Sequence, residues 1–263
     1  MSSGIGEQPA VIVDLDRSTI ELVRSLLLTV RKLRTIGASD VMTAWNVLGQ
    51  IEPKVIFIAH TPPLLNAPQL TRELRRSDLV ARKTPVVMLA IDPTESQIMA
   101  ARDAGVHEVL RKPFTLSDLL LRVDTVLNKR RDWVEGVGYV GPDRRRFNSA
   151  QFAGQRRRRR DKEAISPENA RIGQALKIMK IAIEAIDTDP RQALRALRVQ
   201  ADELQEAAVA MADFALAGAA KTLKTYLDTA VERGRFSSQE CARELSGLLG
   251  TDTAAVETVR KSA

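Results

Sequence analysis

Three short runs constrain this chain most: Val11-Ile-Val-Asp-Leu, Val55-Ile-Phe-Ile-Ala and Pro85-Val-Val-Met-Leu-Ala. Each is an apolar, mostly β-branched stretch of strand length, and helical patterns fill the intervals between them. Ile20, Val23, Leu26 to Leu28 and Val30 form a helical stripe after the first run. Leu70, Leu74 and Leu79 suggest a helix after the second, and Ile98, Ala101 and Ala104 one after the third, ended by Gly105. Val109-Leu is the last strand, and Leu116 to Leu127 is a closing amphipathic helix. A further strand is expected within 38–44, and His107 in the turn before the last strand is expected at the surface. Alternation of this kind predicts a parallel α/β sheet over residues 10–128.

Composition narrows the class. Hydrophobic residues make up 44% and charged residues 28% of 263, enough for one to two globular domains. No apolar run approaches the roughly 18 residues that cross a bilayer. The N-terminal MSSGIGEQPA lacks the order of a signal peptide. A single cysteine, Cys241, forms neither an internal disulfide nor a zinc site, which points to a cytoplasmic protein with Cys241 as a small buried or half-buried residue. The net charge of +7 is local. Residues 129–160 hold eleven Lys and Arg against three acids, so the rest of the chain is about neutral.

Residues 129–165 break the α/β rhythm with Gly, Pro and Arg and are expected to be an arginine-rich flexible linker. From Ser166 onward the pattern is helical. Ser166-Pro167-Glu168 and Asp189-Pro190 each offer an N-cap followed by proline in the first turn. Leu194, Leu197, Ala201, Leu204, Ala208, Met211 and Ala215 make a stripe that packs within this domain or, as the alternative, in a homodimer. Ser237-x-x-Glu240 is a capping-box pattern. Three to five helices are expected over 166–263.

The order of pieces, with Val-Ile-Val-Asp-Leu-Asp-Arg at 11–17, Pro-Lys-Val-Ile-Phe-Ile-Ala-His-Thr-Pro-Pro at 53–63, Pro-Val-Val-Met-Leu-Ala at 85–90 and Arg-Lys-Pro-Phe at 111–114, resembles the CheY-like receiver domain of response regulators. The resemblance implies a flavodoxin-like five-stranded sheet in the order 2-1-3-4-5. It also implies a cleft where two acids after the first strand and an aspartate ending the third bind magnesium. That third-strand aspartate takes a phosphoryl group, whose oxygens are held by a Ser or Thr ending the fourth strand and by a lysine ending the fifth. Carried over one residue at a time, Asp14 matches the first acid, Leu15 stands at the second, and Asp16 is one further on. Ala59 replaces the phospho-acceptor, Ala90 replaces the Ser or Thr, and Lys112 with Pro113-Phe114 is intact. Three of five groups are missing, which describes a pseudo-receiver. Lys112 is then a family relic or, as favoured, a partner for Asp14. His60 is expected to be a solvent-facing loop residue. The face over about 95–127, which receivers use for docking, would still meet other signalling proteins.

Within the linker, Tyr139-Val-Gly-Pro-Asp-Arg-Arg-Arg is echoed thirteen residues on by Phe152-Ala-Gly-Gln-Arg-Arg-Arg-Arg-Arg. Guanidinium groups stack on bases and hydrogen-bond guanine in a fork, and glycine admits a close backbone approach. Tyr139, Gly141, Asp143, Arg144, Arg145, Arg146 and Arg156, Arg157, Arg158, Arg159, Arg160 are therefore candidates for anion or nucleotide binding. Gly-Pro-Asp-Arg-Arg behind a receiver also resembles a group of alphaproteobacterial CheY-like proteins, some of which bind cyclic di-GMP and act in motility or attachment. A solvated charged linker and non-specific contact with nucleic acid or an anionic membrane are the alternatives.

Both histidines, His60 and His107, precede the helical domain, so 166–263 cannot run histidine phosphotransfer and reads as an interaction module. The expectation is a non-enzymatic signalling adaptor in a phosphorelay or second-messenger pathway, without a metal. The alternative is a nucleic-acid-associated regulator using the arginines for phosphate contacts.

Overall fold

The computed structural model describes residues 9–129, 131–144, 166–232 and 241. These fall into two compact units, the first holding 9–134 with 139–144, the second holding 135–138 with the helices from 167 onward.

In the first unit, β1 (Ala10–Val13), β2 (Thr35–Ala38), β3 (Val55–His60), β4 (Val86–Ile91) and β5 (Glu108–Lys112) form one parallel sheet in the order β2-β1-β3-β4-β5. This is the expected order. The connecting helices are α1 (Arg17–Arg31), α2 (Val41–Gln50), α3 (Ala67–Arg76), α4 (Glu95–Asp103) and α5 (Leu116–Asn128). Alternate strand residues feed two cores. Val11, Val13, Ile56, Ile58 and Met88 pack with Ala44, Leu48, Leu70, Leu74 and Ala101 on one face. Ile12, Phe57, Val87 and Leu89 pack with Ile20, Val23, Leu27, Leu119 and Val123 on the other. Each such side chain contributes about 1.5–3 kcal/mol by leaving water, which is what selects this double-sided cover.

Local signals fix the helix starts. Asp16, Asp40, Asn66, Thr94 and Thr115 cap α1 to α5, each accepting a first-turn backbone N–H. Asp40 also corrects one expectation. The second strand is Thr35–Ala38, ahead of the 38–44 window, because Asp40 turns the chain into α2 at residue 41. In α1 the buried stripe is Ile20, Val23 and Leu27, while Leu28 and Val30 face solvent.

The stretch after α5 is not linker throughout. Trp133 and Val134 of β6 (Trp133–Glu135) pair with β7 (Val140–Pro142) in a two-stranded ribbon. The ribbon seats on a buried arginine. Arg75 is 1% exposed, and among the described residues no ion pair to a carboxylate is found for it. Its guanidinium donates to the carbonyls of Gly105, Arg82 and Thr84 at 2.6–3.2 Å. The Trp133 ring lies 5.4 Å from the Arg75 guanidinium carbon, with Arg82 at 5.7 Å and Lys83 at 5.8 Å. Burial pulls the Arg75 pKa down to about 9. Gly105 (φ 89°) and Gly141 (φ 152°) let the two backbones touch, since a Cβ on Gly141 would sit 2.9 Å from the Gly105 Cα. Glu108, fully buried, binds Arg122 at 3.2 Å and Arg131 at 2.6 Å, tying the residue before the ribbon to β5 and α5.

His107 belongs to the same region and is buried at 7% exposure, not a surface residue. Its Nδ1 accepts the Val86 N–H at 3.2 Å and lies 3.4 Å from an Arg75 nitrogen. An acceptor is needed there, so the ring is neutral.

In the second unit, α6 (Pro167–Glu184), α7 (Pro190–Ala210) and α8 (Phe214–Glu232) pack with α7 central. Ser166 and Asp189 cap α6 and α7 as their sequences indicate. Leu197, Ala201, Leu204 and Ala208 are fully buried, with Met179, Leu223, Leu227 and Cys241 in the same core. The stripe stops at Ala208. Met211 and Ala215 are exposed because α7 ends at Ala210, Ala212 turns at φ 57°, and Asp213 caps α8. Gln192 donates to the Glu135 carboxylate at 2.9 Å and to the Gly136 carbonyl at 3.2 Å. The Ser237–Glu240 capping pattern lies outside the described residues. Among the described residues no helix is long and apolar enough to cross a membrane.

Burial first, then the Arg75 and Arg131 cations, hold the His107 pKa well below 6.5. The unfolded chain therefore binds a proton near pH 6.5 that the folded chain refuses. Stability is full above that pH and falls as pH drops toward the folded value, by up to about 1.4 kcal/mol per pH unit. Denaturant unfolding of wild type and His107→Gln at pH 7.0 and 5.5 checks this, with a smaller loss expected in the variant.

Candidate functional site

Parallel strands carry their C-terminal residues to one edge, and there the structure gathers Asp14 after β1, Ala59 and His60 ending β3, Ala90 in β4 and Lys112 ending β5. Asp14 is 1% exposed. One carboxylate oxygen accepts the Asp16 N–H at 3.0 Å, and the other binds Lys112 Nζ at 2.6 Å. The favoured Asp14–Lys112 pair is thus present, with the Lys112 side chain 16% exposed. Thr19 Oγ1 lies 3.5 Å from the ammonium.

Asp16 does not join that pair. Its side chain turns outward as the α1 cap, accepting from Ser18 N, Thr19 N and the Thr19 hydroxyl at 2.7–3.3 Å. The Thr19 hydroxyl, then the Ser18 N–H, hold its carboxyl below the usual range. Ala59 is fully buried and Ala90 nearly so, and they bring only methyl groups to the strand ends. The magnesium ion that receiver chemistry implies does not fit these residues. Asp14 is the buried carboxylate at the strand ends among the described residues, and a lysine already neutralises it. Among the described residues no cluster of three or more His, Cys, Asp or Glu could hold a metal.

His60 is half-buried, not loop-exposed, and burial lowers its pKa. Its Nδ1 is shielded from solvent without a hydrogen-bond partner.

Of the anion-binding candidates, Tyr139, Gly141, Asp143 and Arg144 are described, and all four serve the ribbon. The Tyr139 hydroxyl donates to the Pro142 carbonyl at 2.6 Å, and burial pushes its pKa up to about 12. Gly141 makes the close approach to Gly105, so its conformation answers to packing. The Asp143 N–H extends the pairing by donating to the Asp132 carbonyl at 2.8 Å. Arg144 stacks 4.4 Å from the Tyr139 ring and pairs with Asp103 at 3.1 Å. Arg145, Arg146 and Arg156 to Arg160 lie outside the described residues.

With strand order, lysine and acid in place, the first unit meets a family match. The family description "Response regulator receiver domain" matches residues 10–124. Residues 10–124 are a response regulator receiver domain. Curated relatives include response regulator MprA of Mycobacterium avium, 28% identical over 135 residues (51% of this chain, 58% of that one). Transcriptional regulatory protein PrrA of Mycobacterium leprae is 28% identical over 131 residues (49% and 54%). The chain spans about half the length of the curated relatives it matches. Similar solved structures include the Francisella response regulator 1452 receiver domain, at 21% identity and TM-score 0.42 over 46% of this chain and 98% of that one. Vibrio cholerae chemotaxis protein CheY4 matches at 20% identity and TM-score 0.43, over 46% and 100%.

Sequence reading missed the Glu108–Arg122–Arg131 cluster and the groove beside His60. Glu108 did carry a signal, as a charge opening the run Glu-Val-Leu. The groove carried none, because its residues come from three separate segments.

Removing the Lys112 charge while keeping its stem leaves Asp14 buried with no cation. Lys112→Met is expected to cost roughly 1.5–3 kcal/mol in denaturant unfolding, the range for a charge-assisted hydrogen bond. The loss should shrink in the Asp14→Asn/Lys112→Met double variant.

Proposed function

We propose that this chain is a non-enzymatic signalling adaptor whose receiver works without phosphorylation at residue 59, through contacts with other signalling proteins. One observation carries the reading. The strand-end position that would need a carboxylate nucleophile presents the Ala59 methyl, while Lys112 is already bound to Asp14. A methyl group has no lone pair with which to attack phosphorus, and a single neutralised carboxylate holds magnesium poorly. In this reading the docking surface lies across α4, β5 and α5. Across α4, β5 and α5, Met99, Leu116 and Leu121 remain exposed on a sound scaffold. The helical unit supplies a second interaction module in this reading.

Incubation with acetyl phosphate and magnesium, followed by intact mass measurement, tests the proposal. No stable phosphoryl adduct is expected, and an adduct on the receiver would overturn it.

An anionic ligand on the arginines, cyclic di-GMP being the one that the resemblance of Gly-Pro-Asp-Arg-Arg implies, belongs to the same proposal as a means of control. Arg144 is exposed and, among the described residues, pairs with Asp103 and stacks on Tyr139, contacts that a ligand would replace in this reading. Calorimetry with cyclic di-GMP should give saturable heat that Arg144→Ala/Arg145→Ala diminishes. Absence of heat at high micromolar ligand retires this control and leaves the adaptor reading standing.

A further inference from the structure

Between α3 and α4, beside the end of β3, lies a groove of about 450 Å³ that shares no lining residue with the Asp14–Lys112 pair. His60 lines it, and the shielded Nδ1 of that ring has no partner. That nitrogen is closed to solvent, and the His60 ring lines the groove with its remaining atoms. Burial keeps the ring neutral, with one nitrogen carrying hydrogen and the other accepting.

Asn66, Gln97 and Arg72 present donors to the groove, whereas Gln69 gives its NH2 to Glu73 at 3.0 Å. Asn66 Oδ1 is engaged by the Gln69 N–H at 3.1 Å, and Gln97 Oε1 by the Thr94 N–H at 2.9 Å. Those bonds fix the amide orientations and leave both NH2 groups as the uncommitted ends. Arg72, exposed on α3, adds a guanidinium, and no carboxylate is among the lining residues. Donors of this kind around one concavity match an oxyanion, and the arginine matches its charge.

We propose that the α3–α4 groove binds a small oxyanion, a carboxylate or phosphate group, on Arg72, with His60, Asn66 and Gln97 as neutral donors. The site depends neither on the missing chemistry at residue 59 nor on the arginines at 144–160.

The chain has two histidines, which makes the test direct. Long-range proton–nitrogen spectra of the 15N-labelled full chain show both imidazoles, and His60→Gln assigns them. Inorganic phosphate and sodium acetate are titrated separately, with sodium chloride at matched ionic strength as the control. The His60 nitrogens should shift saturably while those of buried His107 stay still, which also reports an intact fold. A response to phosphate alone assigns a phosphoryl group, to acetate alone a carboxylate, and to both the shared chemistry. Arg72→Ala should weaken binding about tenfold, the low end for a charged hydrogen bond. His60 signals that stay fixed, that follow chloride equally, or that respond unchanged in Arg72→Ala would overturn the proposal.

Discussion

A parallel sheet whose strands are apolar on both faces is stable only when helices remove both faces from water. β1, β3 and β4 impose that condition here. Ile12, Ile56, Phe57, Ile58, Met88 and Leu89 are all fully buried, and they alternate between two cores. Four helices, α1 to α4, follow from the requirement, since parallel neighbours need crossovers and each crossover is the nearest available cover; α5 adds cover after the last strand. The strand ends are then brought to one edge whatever residues they carry. In this chain the edge holds one ion pair, two methyl groups and a half-buried histidine where the fold could have held a phosphoryl site. The scaffold tolerates that exchange because its stability resides in the two cores, away from the edge.

The opposite end of the sheet is organised by charge out of water. Arg75 has every close acceptor drawn from backbone carbonyls and the His107 ring, with Trp133 over its face. Glu108 between Arg122 and Arg131 is its ionic counterpart. Buried groups of this kind are weak contributors to net stability yet strongly resist losing one partner, by about 3–5 kcal/mol. They therefore specify where the ribbon seats and extend the folded receiver unit beyond α5 to residue 144. Arg144 leaves this seat at a defined position, stacked on Tyr139.

Strand order, the caps of α6 and α7, and the residues carried by the strand ends were legible in the sequence. Ser166 and Asp189 announce helix starts because a cap is a contact between residues two or three apart. Ala59 and Ala90 are legible because strand ends are fixed by the strand's own apolar run. His107, Met211 and the ribbon were not. His107 is buried by residues from α3, β4 and the segment after α5, none of them near it in sequence. Met211 continues the period of α7, but the helix ends one residue earlier to let Asp213 cap the next.

By itself the sequence determined the α/β class, the helical second unit and the identity of every group that reaches the receiver's edge, since periodicity and capping are local. Tertiary structure alone decided how those groups are used. It seated the ribbon on Arg75, buried His107, and left His60 Nδ1 shielded beside the α3–α4 groove. The reason is physical. Whether a polar atom is paired, neutralised or orphaned depends on side chains brought within about 3 Å by the fold, and sequence distance carries no record of that.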